Sequence, residues 1–104
     1  MPNEQSNTRQ RARHQLKFPS KYSVIMHNDD FTTMEFVVMV LQKVFYKNLV
    51  EAQSLMLTIH KQGHVIVGSY SYDMAVSKSQ RAMDMAREAG FPFKLTVEPC
   101  ELPF

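Results

Sequence analysis

Apolar residues fall along this chain in short blocks, and the spacing within each block decides what it forms. "KYSVIM", following Pro19 and Ser20, is rich in β-formers and predicts a strand. From Met34, the positions Met34, Val37, Val38, Leu41, Val44 and Phe45 recur every three or four residues, the period of a helix. Met39 and Val40 lie outside that stripe, so the helix is apolar over more than half its circumference and is expected to be largely buried. Thr32 with Glu35 fits a capping box at its start. Asn48 with Glu51 repeats the cap signature. Ala52, Leu55, Met56 and Ile59 then supply the stripe of a second helix, with Gly63 placed to end it.

"HVIVGSY" predicts a second strand. Ser71 or Asp73 can cap a third helix that turns Ala75, Ala82, Met83, Ala86 and Ala89 inward and stops at Gly90. In "FKLTVE", Phe93, Leu95 and Val97 alternate with Lys94, Thr96 and Glu98, the pattern of a half-buried strand. The order β-α-α-β-α-β points to an α+β domain, a small antiparallel or mixed sheet covered on one face by helices.

At 104 residues the chain is one small domain. Residues 1–20 are polar until Leu16 and Phe18 and are expected to form a flexible extension. Residues 21–98 are expected to form the core and 99–104 a C-terminal tail. No apolar run approaches the roughly 18 residues of a membrane span. The first twenty residues lack a secretory apolar segment. The single Cys100 excludes an intrachain disulfide, so a reducing, cytoplasmic setting is expected. The net charge of +2 is uneven: Arg9, Arg11, Arg13 and Lys17 against Glu4 give the first twenty residues +3 and leave the rest at −1. A basic arm suits nucleic acid. A solvated tail is the simpler reading, because the core itself is not basic.

The chemistry concentrates in "HNDDFTTMEF", residues 27–36. Asp29 and Asp30 are adjacent, so in extended chain they point to opposite sides and make a poor acid/base dyad. No Ser or Cys lies in a nucleophile motif, and three glycines are too few for a phosphate-cradling loop. No catalytic residue is expected. His27, Asp29, Asp30, His60 and His64 are potential metal ligands, but Gly63 should end the helix before His64 joins His60 on one face. Ordinary surface histidines are the simpler reading, and no metal or cofactor is expected. Met56 and His60, four residues apart, share a helix face. Were that face beside the 27–36 corner, Asn28, Asp30 and His60 would gather above Met34, Val37, Met56 and Ile59. Such a site offers acceptors for an ammonium group over an adaptable methionine-rich cup. Plain core packing is the competing account of the same spacing.

"YSVIMHNDDFTTMEFVVMVLQKVF", "AQSLMLTIHKQGHVIVGSY" and "AREAGFP" followed by "TVE" resemble the ClpS family, adaptors of the bacterial ATP-dependent Clp protease. The resemblance runs in register from about residue 21 to residue 98. It implies three strands, paired antiparallel, packed on three helices. It also implies a non-enzymatic adaptor that holds the free α-amino group and bulky first side chain of an N-degron substrate and delivers it to a Clp AAA+ unfoldase. The family's ammonium ligands match Asn28, Asp30 and His60. Its side-chain pocket matches Met26, His27, Thr32, Met34, Val37, Met56, Ile59 and Phe93, with Met34 at a rim that disfavours β-branched first residues. Its contacts to the N-terminal domain of a ClpA- or ClpC-like unfoldase match Asp73 and Lys78, and a flexible extension that engages the unfoldase matches residues 1–20 in character. A monomer that needs neither nucleic acid nor membrane is implied. Thr33 stands at a usual proline, His27 at a usual apolar residue, Phe93 at a usual leucine and Val76 at a usual glutamate. The alternative is a small domain of this fold that contacts a macromolecule, RNA for example, through its basic tail.

Overall fold

The computed structural model describes residues 20–100. The extension expected for 1–20, the RNA contact considered for it, and the tail expected for 99–104 fall outside those residues, save Ser20, Pro99 and Cys100. The elements run β1 (Tyr22–His27), α1 (Met34–Lys43), α2 (Leu49–Gln62), β2 (His64–Tyr70), α3 (Tyr72–Ala89) and β3 (Lys94–Pro99). The sheet order is β2-β1-β3, and both pairings are antiparallel. The predicted element order and the antiparallel sheet are both observed. β3 continues one residue beyond the expected core boundary at 98, and the Cys100 N–H donates to the Lys21 carbonyl at 3.1 Å.

Alternation along β1 divides the two faces of the sheet. Val24 and Met26 are fully buried and sit opposite Val97 and Leu95, facing the helices. Ser23, Ile25 and His27 lie on the other face, where His27 is paired in register with His64 and Lys94. The register with β2 shifts between Val24 and Ile25, leaving Val67 as an extra residue that turns into the core.

The helices meet the core as their small and large residues dictate. Ala75, Ala82 and Ala86 are buried on α3 and allow it to lie close on the sheet, while Ser79 shares that face. Ala89, expected inward, is exposed, because Gly90 turns the chain away one residue later in a left-handed conformation. On α1 the buried residues are Phe36, Val37, Val40 and Leu41, with Val44 at the cap. Val40 is therefore a centre of the packing and not outside the stripe. Phe36, Val40 and Val44 form one four-residue row and Val37 and Leu41 a second. Phe36 meets Phe91 and Phe93 edge-on, with ring centroids 5.1 and 6.2 Å away. Met34, at the start of the expected row, is left at the surface.

The cap of α1 also differs from expectation. Thr33, not Thr32, is the N-cap, and its hydroxyl accepts the Phe36 N–H at 3.2 Å. Thr32 is taken by Asp29 instead. The two other caps are as predicted: Asn48 accepts the Glu51 N–H at 2.8 Å, and Ser71 caps α3. Gly63 ends α2 with φ of 89°, and a side chain in its place would be strained.

Candidate functional site

The six residues between β1 and α1 are folded by one carboxylate. Asp29 Oδ1 accepts the N–H groups of Phe31 and Thr32 at 2.8 and 2.7 Å, and its Oδ2 accepts the Thr32 hydroxyl at 2.7 Å. This is an Asx turn closed a third time by a threonine. Partial burial alone would raise the Asp29 pKa, but the hydrogen bonds from Thr32 and Phe31 outweigh it and hold the carboxyl below its ordinary value. Asp29 is thus committed to shaping the loop. Asp30 is exposed, and among the described residues no ion pair engages it.

The loop is fastened to α2 by the Asn28 N–H, which donates to the Gly63 carbonyl at 2.8 Å. Between loop and helices lies a cavity of about 410 Å³. Asn28, Asp30 and His60 line its polar part, and Thr32, Met34, Val37, Met56 and Ile59 line the rest, together with Asp29, Phe31 and Thr33. All three expected amino-group ligands and five of the eight expected pocket residues therefore share one cavity.

Three expected pocket residues stand outside this lining. Met26 is fully buried behind it, on the core face of β1. Phe93 is 5% exposed and packs on Phe36. His27 lies on the opposite face of the sheet, where its Nε2 is 2.8 Å from the Thr96 hydroxyl. Burial lowers the His27 pKa from 6.5, and the neighbouring charges of Lys94 and His64 lower it further against a smaller opposing effect of Glu98. The period-two rule accounts for His27: with Met26 turned inward, its neighbour must turn outward.

Asp29, Phe31 and Thr33 were missing from the expected site. A readable signal existed for Asp29, because Asp followed by a threonine three residues later suits an Asx turn. Nothing in the spacing marks Phe31.

Asp73 and Lys78 lie on the first half of α3. Asp73 is exposed in the first turn. Lys78 is partly enclosed: its Nζ donates to the Val44 carbonyl at 3.0 Å and lies 4.7 Å from the Tyr46 ring centroid and 5.6 Å from that of Tyr70. It thereby satisfies a carbonyl at the C-terminus of α1. Tyr46 adopts φ of 56°, uncommon for a residue with a side chain, and stands exposed beneath the ammonium group. No group of three or more potential metal ligands occurs among the described residues. No helix among them is long and apolar enough to cross a membrane.

Residues 17–96 match the family described as ATP-dependent Clp protease adaptor protein ClpS. The chain is 45% identical over 97 residues to the ATP-dependent Clp protease adapter protein ClpS of Desulforapulum autotrophicum, covering 93% of both chains. To the protein of that name from Lawsonia intracellularis it is 42% identical over 83 residues, 80% of this chain and 76% of the relative. Among solved structures, Agrobacterium tumefaciens ClpS2 bound to L-phenylalaninamide superimposes with a TM-score of 0.76. That pair is 39% identical, and the match covers 79% of this chain and 99% of the other.

Proposed function

Because the chain belongs to the ClpS family of adaptors for the ATP-dependent Clp protease, we propose that it recognises substrates by a free α-amino group and a bulky first side chain. It then hands them to the N-terminal domain of a ClpA- or ClpC-like unfoldase. The role is non-catalytic and carried out by a monomer. The observation that carries the reading is the shared cavity, polar at Asn28, Asp30 and His60 and apolar at Met34, Val37, Met56 and Ile59. The Agrobacterium relative is bound to L-phenylalaninamide, which presents an amine beside an aromatic side chain.

The chemistry of such a ligand suits these residues. An α-amino group has a pKa of about 7.7–8.0 and is largely protonated at neutral pH. The Asp30 carboxylate, the Asn28 amide oxygen and a His60 ring nitrogen are its acceptors. Each charge-assisted hydrogen bond is worth roughly 1.5–3 kcal/mol, and burial of a Leu- or Phe-sized side chain contributes a similar amount. The cost of association, about 4 kcal/mol or more, keeps the net of these terms to about −8 kcal/mol at most, so binding is no tighter than about micromolar. Such affinity suits an adaptor that must release what it carries.

Delivery is assigned to the other parts of the chain. Asp73 and Lys78 meet the unfoldase, and residues 1–20 engage it during transfer. Lys78 reaches a partner only by leaving, or sharing, its contact with Val44. The test of recognition is a peptide series identical except for its first residue. Leu, Phe, Tyr and Trp should bind and Ala, Ser and Glu should not. Equal binding across the series would remove the reading.

A further inference from the structure

Phe31 is the most exposed apolar side chain of the cavity wall, at 73%, and it is no part of the buried core. Isolated exposed aromatics are common on protein surfaces and usually carry no meaning. This one differs in two ways. Its backbone is fixed, because its N–H is held by Asp29 at 2.8 Å and the next N–H by the same oxygen at 2.7 Å. It also stands directly after Asp30, an expected acceptor for the substrate's amino group, and lines the same cavity. The loop therefore holds a phenyl ring in water at the edge of a site whose other wall is apolar.

We propose that Phe31 is the contact for the side chain of the substrate's second residue, so that the protein reads two positions of its substrate. The inference rests on the reading of the cavity given above. A first residue has three substituents to place. Its ammonium group takes the Asn28, Asp30 and His60 end, and its side chain takes the Met34, Val37, Met56 and Ile59 end. The carbonyl and all that follows must leave by the mouth. In extended chain the next Cα lies about 3.3 Å further on and its side chain points away from that of the first residue. The second side chain accordingly emerges at the level of the rim and not of the floor. The large apolar groups exposed on the cavity wall are Phe31 and Met34. Met34 flanks the first side chain, which leaves Phe31 for the second. Aromatic and large aliphatic second residues cover the ring and are favoured, whereas glycine leaves it wet.

The test is a double-mutant cycle on the full 104-residue chain. Two peptides, one beginning Leu-Gly and the other Leu-Phe with the same continuation, are titrated by fluorescence anisotropy against the parent and Phe31→Ala. The proposal expects the parent to bind Leu-Phe about two- to tenfold more tightly than Leu-Gly, the range of an aromatic pair. It expects Phe31→Ala to erase that difference. The ring is exposed, so the variant should fold, and circular dichroism checks this. Binding of both peptides by the parent without preference, or equal weakening of both in Phe31→Ala, overturns the second-residue contact and leaves the first-residue reading in place. Failure of the parent to bind either peptide removes both.

Discussion

The backbone N–H of Asn28 donates to the carbonyl oxygen of Gly63 across 2.8 Å, joining the end of β1 to the end of α2. Gly63 itself is bonded through its N–H to Ile59, so the loop is locked to the last turn of the helix that carries His60. Asn28 and His60 belong to segments distant in sequence, and this bond fixes the distance between them. The polar end of the cavity is consequently preformed, and a ligand need not order it on binding.

Asp29 holds the loop that carries Asn28, Asp30 and Phe31, through three hydrogen bonds. Asp29→Ala should therefore weaken binding of a Leu peptide by about tenfold or more, because the acceptors lose their positions. Asp29→Asn keeps an oxygen for both N–H groups and should recover most of the affinity. The two titrations, compared at equal helicity, separate positioning from charge. Equal losses in both would show that the negative charge itself is used.

The cap of α1 gives a stability prediction. Thr33→Ala removes the acceptor of the Phe36 N–H and should cost about 0.5–2 kcal/mol, read from the midpoint of urea unfolding. Serine at the same position should cost far less. An unchanged midpoint in Thr33→Ala would mean that another group caps the helix.

How far these features were legible in the sequence can be judged from α1. Its existence followed from periodicity, but its cap did not, since the Thr32–Glu35 spacing favours Thr32 and only the bonds that tie Thr32 to Asp29 leave Thr33 as the cap. Its buried face was misjudged at Val40 because a helix covered on two sides buries two rows, and periodicity alone favours one. Asn28, Asp30 and His60 could be gathered from spacing only on the condition that the Met56–His60 face lies beside the 27–36 corner, and the family's motif supplied that condition. Their spacing of up to 32 residues carries no local signal. His27 was assigned to the pocket by position in that motif, and the alternation of the strand turned it to the other face.

His27 provides a pH prediction. Its folded pKa lies below the ordinary 6.5, so between the two values the unfolded chain binds more protons than the folded one. Stability should therefore rise with pH in that interval and be lost as the solution is acidified below about 6.5. Asp29, whose pKa is also depressed, adds a loss in the same direction at still lower pH. In His27→Thr the first loss should shrink while the second remains. Thermal midpoints between pH 7 and pH 4 check this, and identical profiles for parent and variant would contradict it.

Met34 sits at the cavity wall and is 45% exposed. A side chain branched at Cβ is wide beside its own backbone and stiff at χ1, so it cannot turn away from such a rim. Peptides beginning with Ile or Val should bind roughly tenfold more weakly than those beginning with Leu. Met34→Ala should narrow that gap. Parent affinity for Ile equal to that for Leu would dismiss the methionine as a gate.

The central claim is that a protonated α-amino group is one half of what this protein recognises. The most direct measurement is a pair of titrations with one Leu-initiated peptide, its N-terminus free in the first and acetylated in the second. Acetylation removes the charge and leaves the side chain unaltered. The account predicts micromolar binding of the free peptide, about 100-fold or greater loss on acetylation, and the same loss for the free peptide in Asp30→Ala. Equal affinity of the parent for the free and acetylated peptides would contradict it.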